Sequence, residues 1–432
     1  MNLDLTADEL ISAVLGMAAD EPVCVLDSSG VPHLGSHLLI AGVGPARTID
    51  LASADVSETL EAFDSLLGSG LAVIFTISYE FGRKIQGFES AHPANEEPDI
   101  FASLFDVLIV HDYRNGSTSL VGDEGKFASA AAKLNAAAAY PVTTSSRGSV
   151  VRSNVRRDEY LHTVDGVKER IRCGDTYQAN ITQQLSADLH DDLTAEKIFL
   201  DLRKAHPAPF SAFIRRYDST VISASPERFF RIEDSIITTS PIKGTRPRGK
   251  LTHEDEALRR ELLTSTKDRA ENTMIVDLLR NDLGRVCEYG SVRVEKLCEL
   301  QEHPSLFHLV STVSGRLRAN TRPSDVLRAL FPCGSITGAP KISTMRIIDE
   351  IEPSPRGLSM GAIGYYIPPT NFDMPEIIDT SVAIRTMVVR GQKATFNVGG
   401  GIVIDSEPGK EYDETLTKAS ALMNAINGRL ET

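Results

Sequence analysis

From Asp255 to Leu283 the chain has neither glycine nor proline, and this breaker-free stretch predicts a helix running through Lys267-Asp268-Arg269-Ala270-Glu271-Asn272 to Asp282. Ala270, Met274 and Leu278 recur at helical spacing and are its expected apolar stripe. Asp268 and Glu271 stand three apart, so a helix projects both from one face. Two adjacent carboxylates repel unless a cation or a proton lies between them. Glu411 and Glu414 repeat the spacing near the C-terminus, and four carboxylates on two helical faces form a candidate hard-cation site of the kind Mg²⁺ takes. The plainer meaning of such pairs is solvated surface, and the first turn of a final helix favours acids for its dipole alone.

Composition narrows the partners. The chain has 432 residues, enough for two or three domains, and its 41% hydrophobic and 24% charged residues are those of a soluble globular protein. A formal net charge of -14 argues against nucleic acid or an anionic membrane as the main partner, and leaves a small anion held by local Lys and Arg. Cys24, Cys173, Cys287, Cys298 and Cys333 are scattered, with no paired spacing for zinc or a disulfide framework. The first 15 residues carry acids and no base, unlike a signal peptide, and no apolar run approaches the ~20 residues of a membrane span. A cytoplasmic location is the expectation.

Along the chain, residues 1–140 read as an α/β part, expected to interweave with the rest and a candidate regulatory region. Strands are expected at 22–30, 71–78 and 100–111, and an alanine-rich helix at 127–139. Residues 141–150, rich in Ser, Thr and Gly, read as a connection, and 151–428 as the second part. There a helix over 156–173 stops at Gly174, and the turn Ser225-Pro226-Glu227-Arg228 presents one carboxylate. The loop Pro241-Ile242-Lys243-Gly244-Thr245-Arg246-Pro247-Arg248-Gly249 is stiff and basic, and a preorganised Lys243 becomes a nucleophile if its pKa is lowered. His308 lies in an apolar strand, where a satisfied core histidine is the commoner meaning. The small-residue loop 331–341 opens a helix whose free N–H groups suit a carboxylate or phosphate, without the Walker pattern. A strand over 381–387 is expected to place Val382 and Ile384 on one face and Arg385 on the other, for a bound anion or a structural ion pair. Gly399-Gly400-Gly401 weakens its strand unless the backbone must approach a ligand.

Six ordered motifs share a resemblance: Ser225-Pro226-Glu227, Pro241 to Thr245, Asp268 to Asn272, Arg280-Asn281-Asp282-Leu283, Gly334 to Lys341, and the three glycines. Together they resemble the chorismate-utilising enzymes, which include the anthranilate, aminodeoxychorismate, isochorismate and salicylate synthases. The likeness spans about residues 150–428, and extends loosely into the N-terminal part through Leu26-Asp27-Ser28 and Gly82-Arg83. Gln178 stands where the isochorismate and salicylate members have a lysine base, and Lys243 where anthranilate synthases have alanine, so the chain is most similar to the aminodeoxychorismate branch. Cys333, where glycine is common, is a departure that touches no catalytic assignment.

The resemblance implies an α+β fold of two large antiparallel sheets packed as a sandwich with outer helices. It implies conversion of chorismate and ammonia to 4-amino-4-deoxychorismate, toward p-aminobenzoate and folate. Lys243 is then the nucleophile that forms a ring adduct, and Glu227 the general acid for the leaving hydroxyl. Glu271 and Glu414 are implied ligands of Mg²⁺, with Asp268 and Glu411 reaching its waters. Arg385, Gly399, Gly400, Gly401, Thr337 and Gly338 are expected to hold the enolpyruvyl carboxylate. Thr245, His308, Tyr365 and Lys341 complete the expected substrate contacts. No Gly-x-Cys-x-Gly elbow is present, so a separate glutamine amidotransferase subunit is the implied ammonia source. The competing readings are an anthranilate synthase, and a non-catalytic module that binds chorismate or an amino acid.

Overall fold

The structure is a computed structural model that describes residues 1–89, 92, 96–141, 147–302 and 306–431. Two large sheets dominate it. In the first, the strands run in the order Asn2–Leu3, Ser117–Gly122, Val107–Asp112, Leu38–Val43, Val23–Asp27, Phe210–Arg215, Thr220–Ser225, Thr386–Arg390, Lys393–Ile402, Gln178–Asp188, Val150–Ser153 and Arg429–Leu430. The short strand Gly338–Ala339 pairs onto Gln178–Asp188. In the second, the order is Ile242–Pro247, Leu306–Arg316, Ile236–Ser240, Arg228–Glu233, Ile377–Val382, Ala362–Ile367, Ala72–Ile77, Ile100–Phe105 and Arg47–Leu51, with Arg293–Glu302 also on Leu306–Arg316. Pairing is antiparallel except where Arg429–Leu430 meets Val150–Ser153. Strands from residues 1–140 thus lie in both sheets, beside strands from the second part of the chain. Most of the predicted connection, residues 142–146, lies outside the described residues.

The sheets pack face to face over a shared apolar layer. Cys24, Ile40, Ile214 and Val221 from the first sheet meet Phe101, Phe105, Ile363 and Ile367 from the second. Helices cover the outer faces. Ala7–Met17, Ala195–Ala205 and Pro408–Ala425 bury Leu10, Phe199 and Leu422 against the first sheet. Val56–Leu67, Tyr79–Ile85, Thr266–Gly284 and Pro323–Leu330 bury Phe63, Phe81, Val276 and Leu327 against the second. This is the α+β sandwich with outer helices.

The differences in strand assignment have one physical cause. The run 100–111 is two strands, Ile100–Phe105 and Val107–Asp112, one in each sheet. The run 381–387 is likewise divided, with Ile377–Val382 in the second sheet and Thr386–Arg390 in the first. Arg385 therefore sits in the crossing segment, at φ 48, and not on the far face of a continuous strand. The turn Ser225 to Arg228 is a third crossing, from Thr220–Ser225 in the first sheet to Arg228–Glu233 in the second. Apolar alternation is blind to a change of sheet, because both faces of such a run become buried.

The breaker-free helix is also divided, into Thr252–Thr264 and Thr266–Gly284, because Ser265 leaves helical geometry and its side chain accepts from Asp268 N. The buried stripe is Asn272, Ile275, Val276, Leu279 and Leu283, whereas Ala270 is exposed and Met274 and Leu278 are half-buried. The face carrying Glu271 and Leu278 is turned toward the loop at Gly334, where an added Cβ would lie 2.5 Å from Leu278.

The inter-sheet layer is predicted to carry much of the stability. Phe105 is 1% exposed, and Phe105→Ala is expected to cost ~3–5 kcal/mol, read as a fall in the denaturant midpoint. An unchanged midpoint would contradict this packing.

Candidate active site

Glu227 stands in the crossing between the sheets, where its carbonyl accepts from Val382 N at 3.0 Å. The neighbouring crossing is tied to it, since Ala224 N donates to Arg385 O at 3.0 Å and Ser225 Oγ to Val382 O at 2.6 Å. Both polar side chains are carried at the point where the two sheets join, Glu227 buried and Arg385 half-buried. Burial pushes the Glu227 carboxyl up to about 6, against the lowering influence of Ser335 and Lys243. Its Oε1 is buried without a hydrogen-bond partner. The Arg385 guanidinium is held below its ordinary range by burial alone, and among the described residues no carboxylate pairs with it. A buried cation without a counter-ion is a place for an anionic ligand.

Lys243 lies on the edge strand Ile242–Pro247, where the register with Leu306–Arg316 shifts between Lys243 and Thr245. The bulge turns on Gly244 at φ +78, where an added Cβ would lie 3.0 Å from Asp268. An alternating strand would aim Lys243 and Thr245 the same way, and the extra residue re-aims the lysine. Its Nζ donates to Ser335 O at 3.4 Å. Burial lowers the Lys243 pKa, opposed by Glu271 and Glu227. Thr245 Oγ1 and His308 Nδ1 are 2.9 Å apart across the strand pair.

The acidic side chains come from two helices. Lys267 Nζ lies 3.9 Å from Glu271 Oε1 and 3.8 Å from Glu411 Oε1, so both acids reach one cation. Burial raises the Glu271 pKa, and the neighbouring Asp268 and Glu411 add to the rise, against Lys243 and Lys267. Glu411 accepts from Ser406 Oγ at 2.7 Å. Glu414 pairs with Lys418 at 2.8 Å. Burial alone would raise the Glu414 pKa, and Lys418 leads the influences that hold it below the ordinary carboxylate range. Asp268 pairs instead with Arg246 at 3.1 Å. Among the described residues, no three His, Cys, Asp or Glu side chains converge as a metal cluster. Instead, two lysines offset the charge of facing acids.

The glycines make room for this arrangement. An added Cβ at Gly400 would lie 3.4 Å from Glu411 Oε2 and 3.9 Å from Glu414 Oε1. Lys418 Nζ donates to Gly399 O at 3.1 Å. Gly401 leaves space for the Gln178 side chain, whose amide is buried with neither atom hydrogen bonded. Thr337, fully buried, donates to Cys333 O at 3.0 Å, and Gly338 at φ +147 allows its strand to close on Gln178.

Two expected contacts are placed elsewhere. Lys341 is buried in an ion pair with Asp282 at 2.7 Å and donates to Leu330 O at 2.7 Å, so its charge is spent inside the fold. Tyr365 lines a cavity of about 540 Å³ between the sheets, with Asp27, Ser28, Arg231 and Asp379. Its strand partner is Asp379, which sets the side chain toward that layer. Sequence reasoning missed Lys418 and the bridging role of Lys267, although both stand four residues from a candidate acid. It also missed Ser335, whose carbonyl and side chain face Lys243 and Glu227.

Residues 22–424 match the family described as chorismate binding enzyme. The chain belongs to that family. Among curated chorismate-family relatives, aminodeoxychorismate synthase component 1 of Escherichia coli K12 is 36% identical over 415 residues, covering 94% of this chain and 88% of that protein. The aminodeoxychorismate synthase of Streptomyces griseus is 40% identical over 369 residues, which are 81% of this chain but 49% of that longer protein. The chain therefore spans about half the length of that relative. Among solved structures, anthranilate synthase component I from Streptococcus pneumoniae superposes with a TM-score of 0.78 at 27% identity, covering 91% of this chain and 93% of that one.

Within the family site, Glu227 gives a signed prediction. Its folded pKa of about 6 lies above the ordinary 4.5, so the folded state binds more protons than the unfolded chain between these values. Stability therefore falls as pH rises through that window. Glu227→Gln is expected to be more stable than wild type by about 2 kcal/mol near pH 8, with the difference closing below pH 4.5. Thermal melts at both pH values check it, and an equal difference at both would contradict the raised carboxyl.

Proposed function

We propose that this chain is the chorismate-aminating component of an aminodeoxychorismate synthase. The observation that carries the reading is the pairing of a half-buried lysine of lowered pKa with a buried glutamate of raised pKa. A lysine nucleophile must be neutral and a general acid must be protonated, and one dry environment favours both states at once. The neutral Lys243 Nζ attacks C2 of the chorismate ring. Both conjugated ring double bonds shift, C1=C2 to C1=C6 and C5=C6 to C4=C5, and the C4–O bond breaks, while Glu227 gives its proton to the departing hydroxyl, which leaves as water. Ammonia then attacks C4, both double bonds shift back, and the C2–N bond to Lys243 breaks. The carboxylate of Glu227 and the lysine recover their starting protonation through the proton lost from ammonia.

The remaining residues bind and orient. Arg385, half-buried and without a carboxylate partner among the described residues, suits the enolpyruvyl carboxylate. Thr245 and His308, hydrogen bonded to each other, form a polar wall beside Lys243. The acids suit a hard divalent cation, since Glu271 and Glu411 face one lysine and the neighbouring Asp268 and Glu411 help to raise the Glu271 pKa. Glu271 and Glu414 would hold Mg²⁺, with Asp268 and Glu411 reaching its waters. When bound, the ion would neutralise these acids and anchor the ring carboxylate. Lys267 and the Asp268–Arg246 pair would then have to yield their contacts.

The component 1 naming of the E. coli relative accords with a separate subunit that supplies ammonia, and no amidotransferase elbow occurs in this sequence. No described helix is long and apolar enough to cross a membrane, and we assign the cytoplasm as the location. A second reading, as an anthranilate synthase, is favoured by the solved neighbour. Lys243 decides between them. With chorismate, Mg²⁺ and ammonium, the wild-type chain is expected to yield aminodeoxychorismate, and Lys243→Ala to lose at least ~10²-fold in rate or turn to anthranilate. Anthranilate from the wild type would overturn the proposal. Chorismate binding without turnover would indicate the non-catalytic module.

A further inference from the structure

Arg356 follows the helix Lys341–Ile351 and its side chain is 1% exposed. All three guanidinium nitrogens are used. Nε donates to Glu352 Oε2 at 2.8 Å, Nη2 to Glu352 Oε1 at 2.7 Å and to Asn180 O at 2.6 Å, and Nη1 to Ile336 O at 2.9 Å. The guanidinium lies over the Tyr79 ring at 4.6 Å from its centroid, which fixes the plane of the fork. Glu352 is shared further, since its Oε1 accepts from Thr182 N at 2.7 Å and Thr182 Oγ1 at 3.0 Å.

The carbonyls that Arg356 holds are those next to the substrate loop. Ile336 immediately precedes Thr337, and Asn180 N donates to Thr337 O at 2.8 Å. The peptide groups on both sides of Thr337 are thereby fixed to one node. Thr337 has φ -111 and ψ -83 and Gly338 φ +147, so this backbone is outside regular helix or strand geometry and depends on such bonds. On the other side, Asn180 and Thr182 are register partners of Gly401 and Gly399. One buried ion pair therefore sets the loop and the glycine strand relative to each other, without touching Lys243 or the acidic side chains.

We propose that Arg356, paired with Glu352, is a positioning residue that holds the Thr337–Gly338 backbone against the strand Gln178–Asp188 in the geometry that binds substrate. The proposal rests on the reading of that loop as a chorismate contact. Its test is arranged so that the two can fail separately. The double variant Arg356→Met with Glu352→Met removes both charges together and leaves no lone buried ion. Hydrogen exchange on the full chain reports the loop directly, and steady-state kinetics with chorismate, Mg²⁺ and ammonium report binding. We expect exchange at residues 334–339 and 178–182 to rise at least about tenfold, and KM for chorismate to rise about tenfold with kcat changed less than about threefold. Arg356→Lys, which keeps the charge but not the planar fork, is expected to fall between wild type and the double variant, and serves alone if the double variant does not fold. Wild-type exchange in the loop, or an unchanged KM despite a loosened loop, would overturn the proposal. If the wild type does not consume chorismate, the reading of the loop as a chorismate contact fails, and the exchange arm then decides the positioning role.

Discussion

Desolvation of Lys243 and Glu227 in one pocket is the constraint on which the site depends. In water the lysine would be a cation and the glutamate an anion, and neither could begin the proposed reaction. Burial penalises both charged forms, lowering one pKa and raising the other. Complete removal of water would be costly without polar company, and Ser335 supplies it through a carbonyl for the lysine and a side chain for the acid. The residual attraction between the two groups works the other way and limits how far either moves. The site is therefore a balance in which the neutral pair and the charged pair are closer in energy than in water.

That pocket exists because the chain crosses between two sheets. A residue within a sandwich strand faces either the shared layer or an outer helix, and a side chain there would be wholly buried in apolar surroundings. The crossings at Ser225 to Arg228 and at Val382 to Thr386 are joined by backbone hydrogen bonds, and they carry Glu227 and Arg385 out of both layers. The loop at Gly334 to Ala339 and the bulged edge strand at Lys243 close around the same region. Rigid sheets thus position short irregular segments, which is where polar chemistry can be accommodated.

Charge in the site is compensated locally. Lys267 and Lys418 contact Glu271, Glu411 and Glu414, so lysines offset the acids. Contacts made through such exposed lysines are weak. Arg385 has the opposite character. It is half-buried and no carboxylate among the described residues pairs with it, so its charge is not offset by an ion pair there.

By itself, the sequence determined what is local or carried by residue type. The acids at three-residue spacing, the proline-flanked Lys243, the turn ending in Glu227 and the three glycines were legible because each motif is contiguous. Their order carried the family resemblance, and with it the two-sheet fold. Element types were legible through periodicity, as in the helix Arg157–Arg172, predicted over 156–173. What periodicity cannot register is which sheet a strand joins, and for that reason the runs at 100–111 and 381–387 were read as continuous. Nor can it show where a charge is spent. Lys341 and Arg385 both look like anion ligands in sequence, but only the fold puts Asp282 beside the first and no described carboxylate beside the second. Tyr365 was assigned to the site by the resemblance and lies in the inter-sheet cavity, where its strand register sets it opposite Asp379. The node at Arg356 was invisible for the same reason: Glu352 stands only four residues away, but the carbonyls of residues 180 and 336 are brought to it by tertiary packing.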